Sequence, residues 1–253
     1  MRRWLAGLAA VLSGLLAPAA LACPAPSDNV IFHSCWGEGR LAILALPEDL
    51  PLPPAPEAGR RLIVTGAYTA REARSDGRPK PVGMFVSRGR IINRNLGRMD
   101  GVLVLPEGSG VPQLYHRESV SLGGREFDLT DIAQRNAFLA EAEEHRASVM
   151  QSHLLVADGA LDLRPQEDAP HSLRRFLFFD EAGFGIYQTG WPRTLYDGAA
   201  EVAAALAPQM VLNLDMGSYD FCLAAEAGVE TNCGNLGAEA LDKLSNLLLL
   251  ELD

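Results

Sequence analysis

The apolar residues of this chain come in short runs, most of them closed within a few residues by glycine, proline or aspartate, and this punctuation limits the fold more than any other feature. Such runs suit strands better than helices of three turns. Arg61 to Ala67, Val82 to Val86, Val102 to Leu105, Leu154 to Val156 and Met210 to Leu214 all read this way. Gly101 and Pro106 bound the third of these, and Asp158-Gly159 follows the fourth. Phe176 to Phe179 and Phe184 to Tyr187 form a hairpin pattern around Asp180-Glu181-Ala182-Gly183, and Leu247 to Leu252 adds a terminal strand. Two segments have helical spacing instead. Asp131 to Ala147 places Ile132, Phe138, Leu139 and Ala142 near one face, with its glutamates on a solvated face. The other runs from Gly198 to Leu206, with Asp197 as its cap and Pro208 beyond its end. The expected fold class is α+β: one domain with a mixed or antiparallel β-sheet core and a few flanking helices. Residues 24–60 crowd Pro51, Pro53, Pro54 and Pro56 together and read as an extended surface connection.

The first 22 residues follow the pattern of a cleavable signal peptide. Arg2 and Arg3 open it, an apolar stretch from Leu5 to Leu16 follows, and Ala20-Leu21-Ala22 is a small-residue cleavage site. That stretch is too short to span a bilayer, and Pro18 interrupts it. The organisation expected is therefore residues 1–22 as leader, 23–60 as a disulfide-bearing and proline-rich segment, and 61–253 as the main domain. An exported chain, periplasmic or secreted, follows. Lipidation at Cys23 is the weaker reading, because Ala20 stands where a lipobox has leucine. The net charge of −10 argues against nucleic acid as a partner. It leaves a polyanionic substrate open, since a few arginines in a pocket outweigh the global sign. Oligomeric state is not legible.

The four cysteines, Cys23, Cys35, Cys222 and Cys233, allow three disulfide pairings in an exported chain. The sequence-local pairing joins Cys23 to Cys35 and Cys222 to Cys233, each loop contributing on the order of 2–3 kcal/mol. A zinc site is the rival. It lacks a C-x-x-C pair and a histidine at finger spacing, so no metal ligands are assigned; the sequence supports no divalent metal while leaving one open, and neither a nucleotide nor a redox cofactor is implied.

No G-x-S-x-G, P-loop, H-E-x-x-H or dinucleotide fingerprint occurs. The polar residues at strand ends carry more information. Asp215 follows the apolar strand ending at Leu214, which suits either a rim carboxylate in a site or a turn residue bonded to its own backbone. Gln151-Ser152 and Arg174-Arg175 each precede a strand. The arginines suit phosphate binding or plain solvation.

Taken in order, these segments resemble the phosphodiester glycosidase family, whose exported bacterial members are relatives of N-acetylglucosamine-1-phosphodiester alpha-N-acetylglucosaminidase. The blocks that carry the resemblance are Val64-Thr65-Gly66-Ala67-Tyr68, Pro81-Val82-Gly83-Met84-Phe85 and Met150-Gln151-Ser152-His153-Leu154-Leu155-Val156-Ala157-Asp158-Gly159. Arg174-Arg175-Phe176-Leu177 and Asn213-Leu214-Asp215-Met216-Gly217-Ser218-Tyr219 complete the set. The resemblance implies a hydrolase for a sugar–phosphate diester or cell-envelope glycan, with Asp215 as the catalytic carboxyl. It implies Gln151, Ser152, Arg175, Asn213, Gly217 and Ser218 as substrate-binding residues, with Asp220 as a candidate partner carboxylate. Val64, His153, Phe176 and Met216 depart from the family's pattern. Those departures motivate the alternative, an inactive glycan-binding or exopolysaccharide-associated protein of the envelope.

Overall fold

A computed structural model describes residues 27–252 apart from 39, 51 and 53, so the expected leader and Cys23 lie outside the described residues. Every pairing between its strands is antiparallel. One sheet has six strands in the order Val30–Cys35, Gly183–Gln188, Arg175–Phe179, Met210–Leu214, Leu154–Ala157, Ala160–Leu161. A second runs Arg90–Asn93, Phe85–Ser87, Ser148–Ser152, Gly101–Leu105, Gln113–His116. The third runs Val229–Asn232, Cys222–Glu226, Arg60–Thr65, Leu247–Leu252, Arg40–Ala45.

The α+β expectation is therefore corrected: the described residues form twenty strands and two α-helices, a β-rich fold of antiparallel sheets. The two expected helices are present, as Ile132–Glu144 and Leu195–Leu206. What tips the class is the set of strands the apolar runs do not mark. Val30–Cys35 and Arg40–Ala45 fall inside the proline-rich segment and lie at sheet edges, where residues such as His33 and Ser34 interrupt the apolar pattern. Thr69–Ala73, Arg125–Phe127 and Val229–Asn232 are short and largely polar ribbons. Among the described residues no helix is long and apolar enough to cross a membrane.

The long apolar runs have a simple packing origin. Leu177, Leu212, Leu103, Met150, Leu62, Val64, Leu248 and Leu250, drawn from all three large sheets, share one core. Their strand neighbours point the other way. Val102, Val104 and Val149 pack against Phe138, Leu139 and Ala142 of the first helix. Phe176, Phe178 and Val211 pack against Ala199 and Val202 of the second. Ile63, Leu247 and Leu249 meet Leu50, Phe221 and Leu244. Strands apolar on both faces lose the alternation of a half-exposed sheet, as these do. Cys222 and Cys233 form a disulfide across the edge pair of the third sheet. Cys35 is also disulfide-bonded; Cys23, the partner expected for it, is outside the described residues.

Candidate functional site

Asp215 ends the Met210–Leu214 strand, which is flanked by Arg175–Phe179 and Leu154–Ala157. Its backbone N–H donates to the Gly66 carbonyl at 2.8 Å, tying the rim of the six-stranded sheet to the end of the Arg60–Thr65 strand. A register shift between Leu154 and Val156 against Leu212 and Val211 bends the neighbouring strand at this level, a device common beside active sites. The Asp215 side chain is 5 % exposed and accepts from the Thr69 N–H at 3.0 Å. Burial lifts its carboxyl from 3.8 to about 7, outweighing the hydrogen bonds from Thr69 and Met216 that favour the charged form. At neutral pH it is poised to hold or release a proton.

The Gly66–Thr69 turn that faces Asp215 is held from the other side. Asn246 accepts from the Ala67 N–H at 2.7 Å and donates to the Ala67 carbonyl at 2.9 Å, while the Ser245 hydroxyl lies 3.0 Å from the Thr69 hydroxyl. A Cβ on residue 66 would fall 2.5 Å from Asn246 Oδ1, so glycine is needed where this clamp closes. Tyr68 projects from the same turn. Burial, then the Asp215 charge, raises its hydroxyl to about 12, with Arg174 opposing, so the phenol stays a donor. Asn213 donates to Tyr68 Oη and to the Leu214 carbonyl, and its buried Oδ1 has no protein partner among the described residues.

The other residues singled out in the sequence separate into two groups. Gly217 and Ser218 follow Asp215 in an exposed 3₁₀ turn; Gly217 has φ +76°, with open space where a Cβ would sit. Gln151, Ser152 and Arg175 are instead fully buried and committed to the protein. Gln151 Oε1 accepts from Gly97 N at 2.7 Å and Met84 N at 3.1 Å, and Nε2 donates to the Met99 carbonyl. Ser152 Oγ donates to the Asn213 carbonyl at 2.6 Å. Arg175 Nη1 lies 3.0 Å from Asp220, and Nη2 donates to Gln188 Oε1 at 2.7 Å. Its neighbour Arg174 is the half-buried arginine beside Tyr68. Nε and Nη2 of Arg174 go to the Arg193 and Pro170 carbonyls. Strand alternation sends adjacent side chains to opposite faces, which is why the pair divides in this way.

Gln151→Leu is accordingly expected to act through stability. It takes the acceptor from the Met84 and Gly97 N–H groups and a donor from the Gly97 and Met99 carbonyls, a loss of about 2–3 kcal/mol visible as a lower urea midpoint. A midpoint equal to the parent's would mean that the loop from Met84 to Met99 is held by something else.

From Tyr68 the polar surface continues outward. His153 meets the Tyr68 ring edge-on at 5.9 Å between centroids and forms part of a cleft of about 420 Å³. Asp100, Asp162, Arg164, Gln166 and Tyr196 also line that cleft. Burial pushes the His153 imidazole below its ordinary range against the pull of Asp100, so the ring is neutral at pH 7. The sequence reading missed Tyr68 as a site residue, along with Asn246, Asp100 and Asp162. The one local hint was Ser245-Asn246, a polar pair set directly before an apolar run.

No family model matches the chain, and no curated protein matches it. Among solved structures, the chain is similar to the zebrafish N-acetylglucosamine-1-phosphodiester alpha-N-acetylglucosaminidase catalytic domain, auto-inhibited by its pro-peptide. The TM-score is 0.46 and the identity 14 %, over 76 % of this chain and 63 % of that one. At that score the likeness does not extend to individual residues or to activity, and the chain spans less than two thirds of that neighbour.

Proposed function

We propose that this protein is an exported hydrolase that cleaves a glycosidic bond in a sugar–phosphate diester or cell-envelope glycan, with Asp215 as its general acid. The single observation behind this reading is a buried carboxyl, half-protonated near neutral pH, at a sheet rim, with Tyr68 next to it and His153 leading from Tyr68 into the cleft. The ordered sequence blocks and the disulfides support the substrate class and the exported location.

In this mechanism Asp215 gives its proton to the leaving-group oxygen as the bond to the anomeric carbon breaks. Water adds to the oxocarbenium-like centre, and a proton from that water returns to the carboxylate. The Tyr68 hydroxyl offers a donor to the sugar, and Asn213, which donates to that hydroxyl, fixes its position. Arg174, which stands beside Tyr68, supplies positive charge for a phosphate. Asp220 is spoken for by Arg175, so it does not serve as a free second carboxylate. Gln151, Ser152 and Arg175 act in this account as the rigid wall behind the site.

The test is hydrolysis of a panel of sugar-1-phosphodiesters and nitrophenyl glycosides by the purified protein. Turnover on at least one diester, with a rate that falls as pH rises through about 7, is expected. A blank panel with folded protein favours the second reading, a glycan-binding protein without catalysis. That reading draws on the commitment of Gln151, Ser152 and Arg175 to internal bonds.

A further inference from the structure

Outside the Asp215 cluster, three ligand-bearing side chains from separate parts of the chain come together, and two of them, Asp100 and Asp162, line the cleft. Asp100 precedes the Gly101–Leu105 strand, His116 ends the Gln113–His116 strand, and Asp162 follows the Ala160–Leu161 strand. One ligand atom from each lies within 4.8 Å of the others. Asp100 is fixed by its backbone neighbours: Oδ1 accepts from the Leu154 N–H at 2.9 Å. His116 is oriented by its own loop, with Glu118 N 3.3 Å and the Glu118 carboxylate 3.9 Å from Nδ1. Asp162 is exposed, and its backbone N–H is bound to the Leu155 carbonyl.

The charges here do not balance. Among the described residues no arginine or lysine pairs with Asp100 or Asp162, although ion pairs are frequent elsewhere on the surface. Two carboxylates held together beside an imidazole, without a protein cation, are the arrangement that a divalent cation relieves.

We propose that Asp100, His116 and Asp162 form a binding site for one first-row divalent cation at the mouth of the cleft. Carboxylate and imidazole bonds of about 2.0–2.2 Å span at most about 4.4 Å between ligands, so small side-chain rotations close the site. The imidazole favours Zn²⁺, and the two carboxylates also accept Mn²⁺, whereas Mg²⁺ and Ca²⁺ take all-oxygen ligand sets. With three protein ligands, water or an anionic group in the cleft completes the coordination. His153, which meets the Tyr68 ring edge-on, lines the same cleft as Asp100 and Asp162.

The site stands apart from the hydrolase reading and is tested without any turnover. Chelator-treated protein is titrated with Mn²⁺, read by the electron paramagnetic resonance of free Mn²⁺, and with Zn²⁺, read by calorimetry. One equivalent with micromolar affinity is expected. Asp162→Asn and His116→Ala are each expected to weaken binding at least tenfold while the circular dichroism spectrum is unchanged. Binding that is millimolar or weaker for both ions would overturn the assignment, as would affinity unaltered in both variants. So would Ca²⁺ binding at this site in preference to both transition ions. Should His116→Ala fail to fold, Asp162→Asn, on an exposed residue, decides the matter alone.

Discussion

Asp215→Asn is expected to lower turnover on a responsive sugar diester by a factor of about 10²–10⁴ while the protein remains folded. Asparagine keeps the size of the side chain and can still accept from the Thr69 N–H, but it cannot release a proton to the leaving oxygen. The same variant alters stability in a direction fixed by linkage. The folded-state carboxyl sits at about 7, above its ordinary 3.8, so the folded state binds the proton more tightly than the unfolded chain. The stabilisation is complete below about pH 4 and is lost as pH rises through about 7. A shift of roughly three units sets an upper bound of about 4 kcal/mol on the change. Wild-type stability should therefore fall across this window relative to Asp215→Asn, in urea unfolding followed at pH 4, 5.5, 7 and 8. Parallel pH profiles for the two proteins would mean that Asp215 titrates normally.

The largest loss of stability is expected from Arg175→Ala. The Arg175 guanidinium is wholly buried, and burial pushes it below its ordinary value against the pull of Asp220. Removing it leaves Asp220, 2 % exposed, without its counter-ion and Gln188 Oε1 without two donors. Breaking such a pair from one side costs about 3–5 kcal/mol, because a charge remains in a poorly solvated place. The pair also joins two sheets, since Arg175 begins a strand of the six-stranded sheet and Asp220 precedes Cys222–Glu226 of another. Arg175→Met combined with Asp220→Leu should recover part of the loss, because no unpaired charge is then left. A change below about 1 kcal/mol in Arg175→Ala would show that water reaches Asp220.

The parts of the fold readable from sequence are those buried on both faces. Met210–Leu214, Leu247–Leu252 and the hairpin of Arg175–Phe179 with Gly183–Gln188 are apolar over most of their length, broken only by Asn213, Glu251, Arg175 and Gln188, so their length and their Gly/Asp boundaries identify them. Edge strands lack that signal. Val30–Cys35 carries His33 and Ser34, and its neighbourhood of prolines suggests a connection instead. The second helix begins earlier than its apolar pattern suggests, because the Thr194 hydroxyl, not Asp197, receives the first-turn N–H. Asp215 was legible because a carboxylate directly after an apolar strand has few places to go. Which of Arg174 and Arg175 faces inward depends on strand phase, and two adjacent arginines do not reveal it. Asp100, His116 and Asp162 form no local motif at all; antiparallel pairing of distant strands brings them together.

Carbon-detected NMR of the aspartate carboxyl groups reads whether Asp215 holds a proton near neutral pH. One resonance, present in the wild type and missing from Asp215→Asn, should titrate with a midpoint of about 7. A midpoint near 4 for that resonance would make Asp215 an ordinary ionised carboxylate, and the general-acid role would fall with it.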